Sequence, residues 1–495
     1  MSSTAAAPSG AASSPKPANP TSRVVLASLI GTTIEFYDFY VYATAAALVF
    51  PKLFFPTGND TIALISSFAV FGAAMIARPI GALVFGHLGD RRGRKTTLIW
   101  SLLTMGIATF IIGLLPTYEN IGITAAVLLL VLRLTQGFAL GGEWSGAALV
   151  ATENAPKGKR AWFGTFPQVG APIGFIIANG LFLIINLALP HESGDRTLMS
   201  DAFLSWGWRI PFLFSAVMVV IGLWVRMRLV ESESFTRVKK EGKVKKLPLG
   251  EVLRKNWWEL ILGTFAMLAT YVLFYLMTAF TLTYGTKAAD VDSAAKAAEK
   301  AGKAFDPSTF YPGLGFGYND FVLMMIIGVL FFGAFTLLSG PIADRIGRRK
   351  TLVWVTVAIT VFGLLFQVFL MPQTDPKFTG ALAQGFLVIG FTLMGITFGP
   401  MGAFLPELYP TETRYTGSAI AYNISSILGA ALAPIIAVWL WAKGDGNPVW
   451  VGVYLSISAV LTLVALLLSP ETMDVDLDEV GEEEVEAEAD PAPLV

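Results

Sequence analysis

A short loop sequence occurs twice in the chain: residues 86–95 read GHLGDRRGRK, and residues 340–349 read GPIADRIGRR. The charged positions coincide at an offset of 254 residues, with Asp90, Arg91 and Arg94 aligned with Asp344, Arg345 and Arg348. The same offset aligns a second motif, Glu153 with Glu407, Pro156 with Pro410 and Arg160 with Arg414. Two separate motifs that share one offset indicate a tandem duplication.

The composition is that of a membrane protein. Of the 495 residues, 54% are hydrophobic and 14% are charged, whereas a soluble domain carries roughly 25% charged residues. A net charge of −1 argues against a nucleic-acid partner. The chain has no cysteine, which excludes disulfides and cysteine metal sites, and its two histidines leave little for a histidine metal site. We therefore expect no metal and no cofactor.

Apolar runs long enough to cross a bilayer as helices recur along the chain. We predict twelve spans, at residues 24–50, 61–86, 96–116, 121–149, 161–189, 207–229, 257–284, 319–341, 351–371, 381–406, 415–441 and 448–469. Together with the duplication, they predict an all-α membrane protein with twelve transmembrane helices in two six-helix repeats.

The remaining segments divide the chain. We expect a disordered tail at residues 1–22, a first half at 23–230, a cytoplasmic linker at 231–255, a second half at 256–470 and a solvated acidic tail at 471–495. Residues 287–320 form an insertion in an outward loop, where an alanine-rich stretch favours a surface helix. The loops on one side hold 22 Lys and Arg residues and the opposite loops hold eight, which predicts that both termini are cytoplasmic.

Five ionisable residues lie within the predicted spans: Glu35, Asp38, Arg78, Arg133 and Glu143. Each would cost about 2.5–3.5 kcal/mol near the bilayer centre if it faced lipid. We therefore expect them to face a wet cavity or one another. Structural ion pairing between helices remains the alternative to a role in transport.

Asp38 is the main candidate for a proton-binding carboxylate, because a partly desolvated acid can gain and lose a proton as its surroundings change. Glu35 lies three residues earlier, on the same helical face. Arg133 is the candidate charge that would approach Asp38 and modulate it. Gly137 and Gly141 on the same span should allow close helix contact.

Arg78 is the candidate for binding an anionic group, because a planar guanidinium holds a carboxylate with two hydrogen bonds. Pairing with Glu35 is the alternative for this arginine. Further polar and aromatic residues could complete a substrate pocket, although aromatic stripes also serve helix packing; these candidates are Tyr42, Trp144, Gln168, Tyr271, Tyr275, Tyr422 and Asn423.

The paired GxLxDRxGRx loops and the RLTQG stretch at residues 133–137 resemble the major facilitator superfamily. Further stretches are similar to its metabolite:proton symporter family: GTTIEFYDFYVYA, QGFALGGEWSGAALVATENAP, SWGWRIPFLFS and PELYPTETRYTG. The resemblance implies proton coupling at the RxxQG stretch, which here corresponds to Arg133, Gln136 and Gly137. Glu143, an acid on the same span, is a further candidate for proton coupling. The resemblance also implies that the loop residues Asp90, Arg91, Arg94, Asp344, Arg345 and Arg348 lock the cytoplasmic ends of the halves, and that the monomer is functional.

The favoured function is proton-coupled uptake of a small organic metabolite, a carboxylate or a zwitterion, by alternating access across the lipid bilayer. The chain contains no GxxxxGK[ST] loop for ATP and no catalytic motif of the HExxH or GxSxG type, so we expect a carrier and not an enzyme. Residues 164–175 read GTFPQVGAPIGF, which partly matches the glycine–proline signature of antiporters and keeps efflux open as an alternative. A membrane sensor that does not transport is the second alternative.

Overall fold

The computed structural model describes residues 21–92, 94–141, 143–153, 155–191, 199–227, 248–300, 307, 310–410 and 413–475. Side chains are described for these residues other than 21–24, 86–95, 98, 226, 248, 249, 251, 297, 298 and 300. The predicted tails therefore lie outside the described residues for 1–20 and 476–495, as does most of the predicted linker.

Twelve helices form the first and second halves of the chain. The first half holds α1 (Thr21–Leu48), α2 (Asp60–Arg92), α3 (Arg94–Leu114), α4 (Ile123–Glu153), α5 (Arg160–Ala188) and α6 (Phe203–Val225). The second half holds α7 (Trp257–Thr286), α8 (Tyr318–Ile346), α9 (Arg348–Leu364), α10 (Pro376–Glu407), α11 (Arg414–Lys443) and α12 (Val449–Leu468). They coincide with the twelve predicted spans, which confirms the predicted fold class.

Nine of these helices are by themselves long and apolar enough to cross a bilayer, within the described part of the chain. The other three are α1, α3 and α9. Large apolar side chains such as Trp354, Ile123 and Val220 are more than half exposed on the bundle surface. Because lipid replaces water there, these surfaces are compatible with a protein that spans the membrane many times.

The helix boundaries reproduce the duplication. Helix α2 ends at Arg92 and α8 at Ile346, and α3 begins at Arg94 and α9 at Arg348, each pair 254 residues apart. The same separation holds for the ends of α4 and α10 at Glu153 and Glu407, and for the starts of α5 and α11 at Arg160 and Arg414. The repeated motifs therefore mark equivalent helix ends.

The helix packing follows the same repeat. In the first half α1 packs on α5, α2 on α4 and α3 on α6, and the second half repeats these pairs as α7 on α11, α8 on α10 and α9 on α12. Between the halves, α5 packs on α8 and α10, α2 packs on α11, and α1 packs on α7. Because the number of spans is even, the start of α1 and the end of α12 lie on the same side of the bundle, which we call the terminal face. The other side is called the opposite face.

Short helices lie in several connections of the described chain, and two of them bear on the predictions. Val291–Lys300 lies in the insertion between α7 and α8, as the alanine-rich composition predicted. Pro248–Lys255 lies in the last part of the predicted linker and packs on α7 and α11. That part of the linker is therefore helical and belongs to the second half.

Three glycines let α2 and α4 pack closely against each other. A β-carbon on Gly81 would lie 1.8 Å from the Phe138 carbonyl oxygen, and one on Gly137 would lie 1.9 Å from the Ala74 carbonyl oxygen. At Gly141 the nearest atoms are backbone atoms of Ala82 and Arg78, at 2.1 and 2.2 Å. The close contact predicted from Gly137 and Gly141 is confirmed, and it brings α4 against the turn of α2 that carries Arg78.

Candidate functional site

The proposed proton-binding acid lies in the interior of the first half. Asp38 is 2% exposed and accepts a hydrogen bond from the Thr109 hydroxyl on α3, with 2.9 Å between Oγ1 and Oδ2. Its second oxygen, Oδ1, has no hydrogen-bond partner among the described residues. Asp38 is therefore a buried carboxylate with one oxygen held and one available.

A chain of hydrogen bonds connects Asp38 to Arg133. The Gln136 amide donates to Thr109 Oγ1 over 2.6 Å, and Arg133 Nη1 donates to Gln136 Oε1 over 2.8 Å. Three helices meet in this chain, because Asp38 belongs to α1, Thr109 to α3 and the other two residues to α4. Arg133 thus reaches the acid through two neutral side chains and not through a direct ion pair.

The guanidinium of Arg133 is held mainly by aromatic rings. It lies 4.1 Å from the ring centre of Tyr42, 4.8 Å from that of Phe71 and 4.9 Å from that of Phe39. Its Nε donates to the Phe71 carbonyl over 3.3 Å, and its Nη2 has no partner within the described structure. Cation–π contacts of this kind stabilise a desolvated cation by about 2 kcal/mol or more.

Arg78 also lies against the ring of Phe39. Its guanidinium is 4.5 Å from the centre of that ring, and its Nη2 is 3.5 Å from Glu35 Oε1. The structure thus contains the pairing with Glu35 that the sequence left as an alternative. Because Nε of this buried arginine has no hydrogen-bond partner among the described residues, one edge of the guanidinium remains available.

A cavity lies between the two halves, and Arg78 is part of its wall. The first half contributes Phe36, Phe39 and Arg78. The second half contributes eight further residues: Met267, Thr270, Tyr271, Phe274, Tyr275, Met394, Phe398 and Tyr422. All the lining residues are buried. Four predicted substrate-binding residues, Arg78, Tyr271, Tyr275 and Tyr422, are therefore in the wall of one cavity.

The other predicted substrate-binding residues surround this wall. Trp144 stacks on Tyr422 with 4.0 Å between ring centres and an interplanar angle of 9°, and its Nε1 donates to Gln168 over 3.1 Å. Asn423 donates to the Gly141 carbonyl over 2.8 Å. The stack on Tyr422 and the bond from Asn423 cross between the halves, because Trp144 and Gly141 belong to α4 whereas Tyr422 and Asn423 belong to α11. The bond from Trp144 to Gln168 joins α4 to α5 within the first half. Tyr42 is instead beneath Arg133, away from the cavity wall.

Helix α4 consists of two segments, Ile123–Ala139 and Glu143–Glu153. Glu143 begins the second segment and is 6% exposed. The Ser101 hydroxyl on α3 lies 3.2 Å from Glu143 Oε2. Among the described contacts, this bond joins Glu143 to α3, and the described lining of the cavity does not include it.

The terminal face is closed by a contact between α8 and α5. The carboxylate of Asp344, at the end of α8, accepts hydrogen bonds from the backbone N–H groups of Ala161 and Trp162 over 3.0 and 2.9 Å. The first N–H groups of a helix have no partner within it, and the helix dipole favours an anion there. Asp344 therefore joins the second half to the first through backbone N–H groups at the start of α5.

Arg348 fixes Asp344 in place. It lies 3.1 Å from Asp344 Oδ1 and 3.3 Å from Glu407 Oε2, and it is 1% exposed. Gly347, with a φ of +105°, forms the turn between α8 and α9 that brings the two residues together. Arg345 is exposed on the surface. The equivalent first-half side chains of Asp90, Arg91 and Arg94 lie outside the described residues.

The segment after α12 also packs on this cluster. Glu471 Oε1 accepts hydrogen bonds from the backbone N–H groups of Arg348 and Arg349, and the Thr472 hydroxyl donates to Glu407 over 2.7 Å. The expectation of a solvated tail from residue 471 onward was wrong for Glu471. The sequence contains only an acidic run there, and the capping role depends on where α9 begins.

Separate contacts join the halves at the opposite face. The hydroxyl groups of Thr61 and Tyr311 lie 2.5 Å apart, and Lys287 Nζ lies 3.8 Å from Asp60 and 4.7 Å from the ring centre of Tyr311. Burial lowers the pKa of Lys287, and Asp60 partly offsets this effect. Asn186 donates to Asn319 over 3.0 Å. The halves are therefore connected at both faces, with the cavity between them.

Sequence reasoning missed several residues of this site. Thr109 completes the hydrogen-bond chain, and the rings of Phe36, Phe39 and Phe398 form much of the cavity wall. A threonine or phenylalanine in an apolar helix carries no signal of its own, because both types are common in such helices. Their roles depend on which helices are neighbours.

Two connected bundles of six helices, with a cavity between them and buried charges beside it, define a membrane transporter of small molecules. The sequence comparisons agree. A family model described as "Sugar (and other) transporter" matches residues 24–248 and 307–483. The chain belongs to this family of the major facilitator superfamily, and it is not an enzyme.

Individual relatives support the same class. The inner membrane metabolite transport protein YhjE of Escherichia coli K12 is 51% identical over 457 residues, which cover 92% of this chain and 96% of that protein. The shikimate transporter of the same strain is 33% identical over 91% of this chain and 94% of its own length, and the proline/betaine transporter is 32% identical over 91% and 83%. The resemblance to metabolite carriers is thereby confirmed, and the protein is a multi-pass membrane transporter of a metabolite.

Solved structures show the same fold. A partially occluded inward-open conformation of the xylose transporter XylE from E. coli aligns with a TM-score of 0.63, covering 92% of this chain and 99% of that one. The proton:xylose symporter XylE bound to 6-bromo-6-deoxy-D-glucose aligns with a TM-score of 0.66 over 93% and 98%. At 16% identity in both cases, the likeness concerns the fold alone.

Proposed function

We propose that the protein is a proton-coupled symporter that takes up a small organic metabolite, a carboxylate or a zwitterion, by alternating access. The single observation that carries the proposal is the hydrogen-bond chain from Asp38 through Thr109 and Gln136 to Arg133. This chain lies one ring away from the cavity, because Phe39 contacts both Arg133 and the cavity residue Arg78.

In this mechanism Asp38 binds the proton and Arg78 binds the anionic group of the substrate. Protonation of Asp38 removes its negative charge near Arg133, and the charge balance around both arginines changes. The two halves then rock against each other, which exposes the cavity at one face and then at the other. Gln136 and Thr109 transmit the change, because each accepts or donates a hydrogen bond along the chain.

The gates are the contacts already described at the two faces. Asp344 and Arg348 close the terminal face, and Tyr311 with Thr61 closes the opposite face. The excess of basic residues in the loops on the terminal face supports its assignment to the cytoplasm. We further propose residues 23–230 and 256–470 as the two moving units and the monomer as the working form.

The test is uptake by the purified full-length protein in liposomes. Shikimate, proline, glycine betaine and benzoate are offered with an inward proton gradient, and protein-free liposomes correct for leak. We expect accumulation of at least one compound that collapses when a protonophore is added. Asp38→Asn should abolish accumulation and retain exchange of labelled for unlabelled substrate, whereas Asp201→Asn, an exposed acid at the opposite face, should behave as the wild type.

Efflux by proton exchange is the rival outcome. Its sequence signal, the glycines of residues 164–175, has a packing explanation here. A β-carbon on Gly170 would lie 2.3 Å from Thr32 Oγ1, and one on Gly174 would lie 2.8 Å from the Tyr37 nitrogen, so these glycines let α5 pack on α1. Proton release from the liposome on substrate entry would contradict symport and support exchange. Binding without flux for every compound would support a sensor.

A further inference from the structure

We infer, resting on the proposed symport, that the cavity selects a small monocarboxylate with an apolar or aromatic body and carries it with one proton, without net charge movement. Three independent features of the described residues lead to this substrate class: the chemistry of the wall, the free edge of Arg78 and the balance of buried charge around Asp38.

The wall is mostly aromatic. Of its eleven residues, seven carry aromatic rings and two are methionines, which leaves Arg78 and Thr270 as the other members. The Thr270 hydroxyl is already engaged with Thr397, at 2.9 Å. The remaining neutral polar groups of the wall are the hydroxyls of Tyr271, Tyr275 and Tyr422. A substrate with many hydroxyl groups would exceed these few partners, at a cost of about 1–3 kcal/mol for each buried group left unpaired. The wall therefore favours an apolar body.

One position in this wall, beside Arg78, suits a carboxylate. Arg78 is 4% exposed, lines the cavity, and has an Nε without a hydrogen-bond partner among the described residues. Its Nη2 lies 3.5 Å from Glu35 Oε1, which is longer than a usual hydrogen bond, so this ion pair is loose. A second carboxylate can therefore bind the free edge of the guanidinium. A dianion would bring a second negative charge for which the described wall offers no further cation.

Four buried charges are described beside the cavity and in the hydrogen-bond chain of Asp38, and these four balance to zero. Glu35 and ionised Asp38 carry two negative charges, and Arg78 and Arg133 carry two positive charges. The groups that face Asp38 are Thr109 of α3, Arg133 of α4 and the neighbouring Tyr37, whose hydroxyl is bound to the Pro211 carbonyl at α6. Of these only Arg133 is charged. When Asp38 binds a proton, the group gains one positive charge.

A monoanion restores the balance, and a zwitterion does not. In a low-dielectric interior an uncompensated charge is costly, so proton and monoanion stabilise each other's binding. The aromatic faces could hold a quaternary ammonium by cation–π contact. That cation would nevertheless enter surroundings that already carry one excess positive charge after protonation. Binding of a zwitterion would thus leave the excess charge uncompensated, whereas binding of a monoanion promotes protonation.

The experiment is a binding titration of the purified full-length protein, with four probes that differ in charge and polarity. Benzoate is a ring with one carboxylate, phthalate is the same ring with two, glycine betaine is a zwitterion with a quaternary ammonium, and xylose is a neutral polyol. Titrations in buffers of different ionisation enthalpy count the protons taken up on binding. Currents from liposomes on a capacitive electrode then report charge movement.

We expect benzoate to bind at least about tenfold more tightly than the other three probes, with uptake of about one proton and without a transport current. Arg78→Lys should weaken benzoate binding by about tenfold, because lysine offers one point charge in place of the planar fork. Arg209→Lys is the matched control. Arg209 donates to the carbonyls of Gly113 and Leu115 away from the cavity, and its replacement should leave benzoate affinity unchanged.

Tighter binding of betaine, xylose or phthalate than of benzoate would overturn the inference, and so would a benzoate current or the absence of proton uptake. These failures differ from failure of the proposed symport. If betaine accumulates with protons, symport stands and the monocarboxylate assignment falls. If benzoate binds with a proton and no compound ever accumulates, the substrate class stands and symport falls.

Discussion

Arg133 and Asp38 share no direct contact: Gln136 and Thr109 stand between them, joined by hydrogen bonds of 2.8, 2.6 and 2.9 Å. A cation and an acid separated in this way influence each other more weakly than a contact ion pair would. The acid can therefore change its protonation without releasing the arginine, which remains on its aromatic rings.

Thr109→Val tests this chain, because valine keeps the shape of threonine and removes the hydroxyl. Asp38 and Gln136 would each lose a buried partner, and we expect a loss of stability of about 1–3 kcal/mol together with weaker proton-driven accumulation. Thermal unfolding and liposome uptake provide the two measurements. Thr135→Val is the control, since Thr135 is only partly buried on α4 and its hydroxyl bonds its own helix at Val131. Unchanged accumulation in Thr109→Val would contradict a role in coupling.

Asp344→Ala should open the terminal face. The substitution leaves the N–H groups of Ala161 and Trp162 without their acceptor, and it leaves Arg348 with Glu407 as its remaining carboxylate. A charge-assisted hydrogen bond contributes about 1.5–3 kcal/mol, so we expect roughly a 10- to 100-fold shift in the conformational equilibrium. Because the chain has no native cysteine, Met394→Cys in the cavity wall reports access to a membrane-impermeant maleimide.

Arg345→Ala serves as the control for that experiment. Arg345 is adjacent to Asp344 but exposed, and labelling from the terminal face should remain at the level of the parent variant. Equal effects of the two substitutions would mean that the loop acts through its overall charge. In that case the Asp344 contact with α5 would not be the gate.

At the opposite face, Tyr311→Phe should have a larger effect than Asp60→Asn. The Tyr311 hydroxyl is buried against Thr61, whereas the Asp60 side chain is 96% exposed and its ion pair with Lys287 spans 3.8 Å. An exposed pair of this kind contributes about 0–1 kcal/mol. Labelling of Met394→Cys from the opposite face should rise with Tyr311→Phe and change little with Asp60→Asn. The reverse order would place the gate at the ion pair.

Gly141→Ala should destabilise the first half. Its β-carbon would meet the backbone of Ala82 and Arg78 at about 2 Å, and overpacking of this kind costs typically 1–3 kcal/mol or more. Gly180→Ala is the matched control on α5, where nothing lies within 4 Å of the added carbon. Thermal unfolding in detergent compares the two proteins. A melting temperature equal to that of Gly180→Ala would show that α2 and α4 can separate without penalty.

Much of the fold was predictable because bilayer thickness fixes the length of a span and because the repeated loops mark equivalent helix ends. The sequence also identified Asp38, Arg78 and Arg133, since charges are rare in apolar helices. Position along a helix does not specify which side chain of another helix lies opposite. For that reason Thr109 was missed, and Arg133 was expected to approach Asp38 directly.

The second half of the site was predicted only as a set of aromatic residues. Tyr271, Tyr275 and Tyr422 line the cavity, but Asn423 bonds the Gly141 carbonyl, and Glu471 caps α9. Both of the latter contacts depend on backbone groups. The sequence carries no mark of a free backbone carbonyl or of a free helix N-terminus until the helix boundaries are known to within a residue.

The ring of Phe39 is shared by Arg78 and Arg133, which lie 4.5 and 4.9 Å from its centre. One aromatic ring thus contacts two guanidinium groups of like charge. Arg78 lines the cavity, and Arg133 is connected to Asp38 through Gln136 and Thr109. Neither guanidinium can leave this ring without altering the surroundings of the other. In the proposed symport, the link between substrate and proton therefore includes an uncharged, unreactive side chain that no titration would reveal.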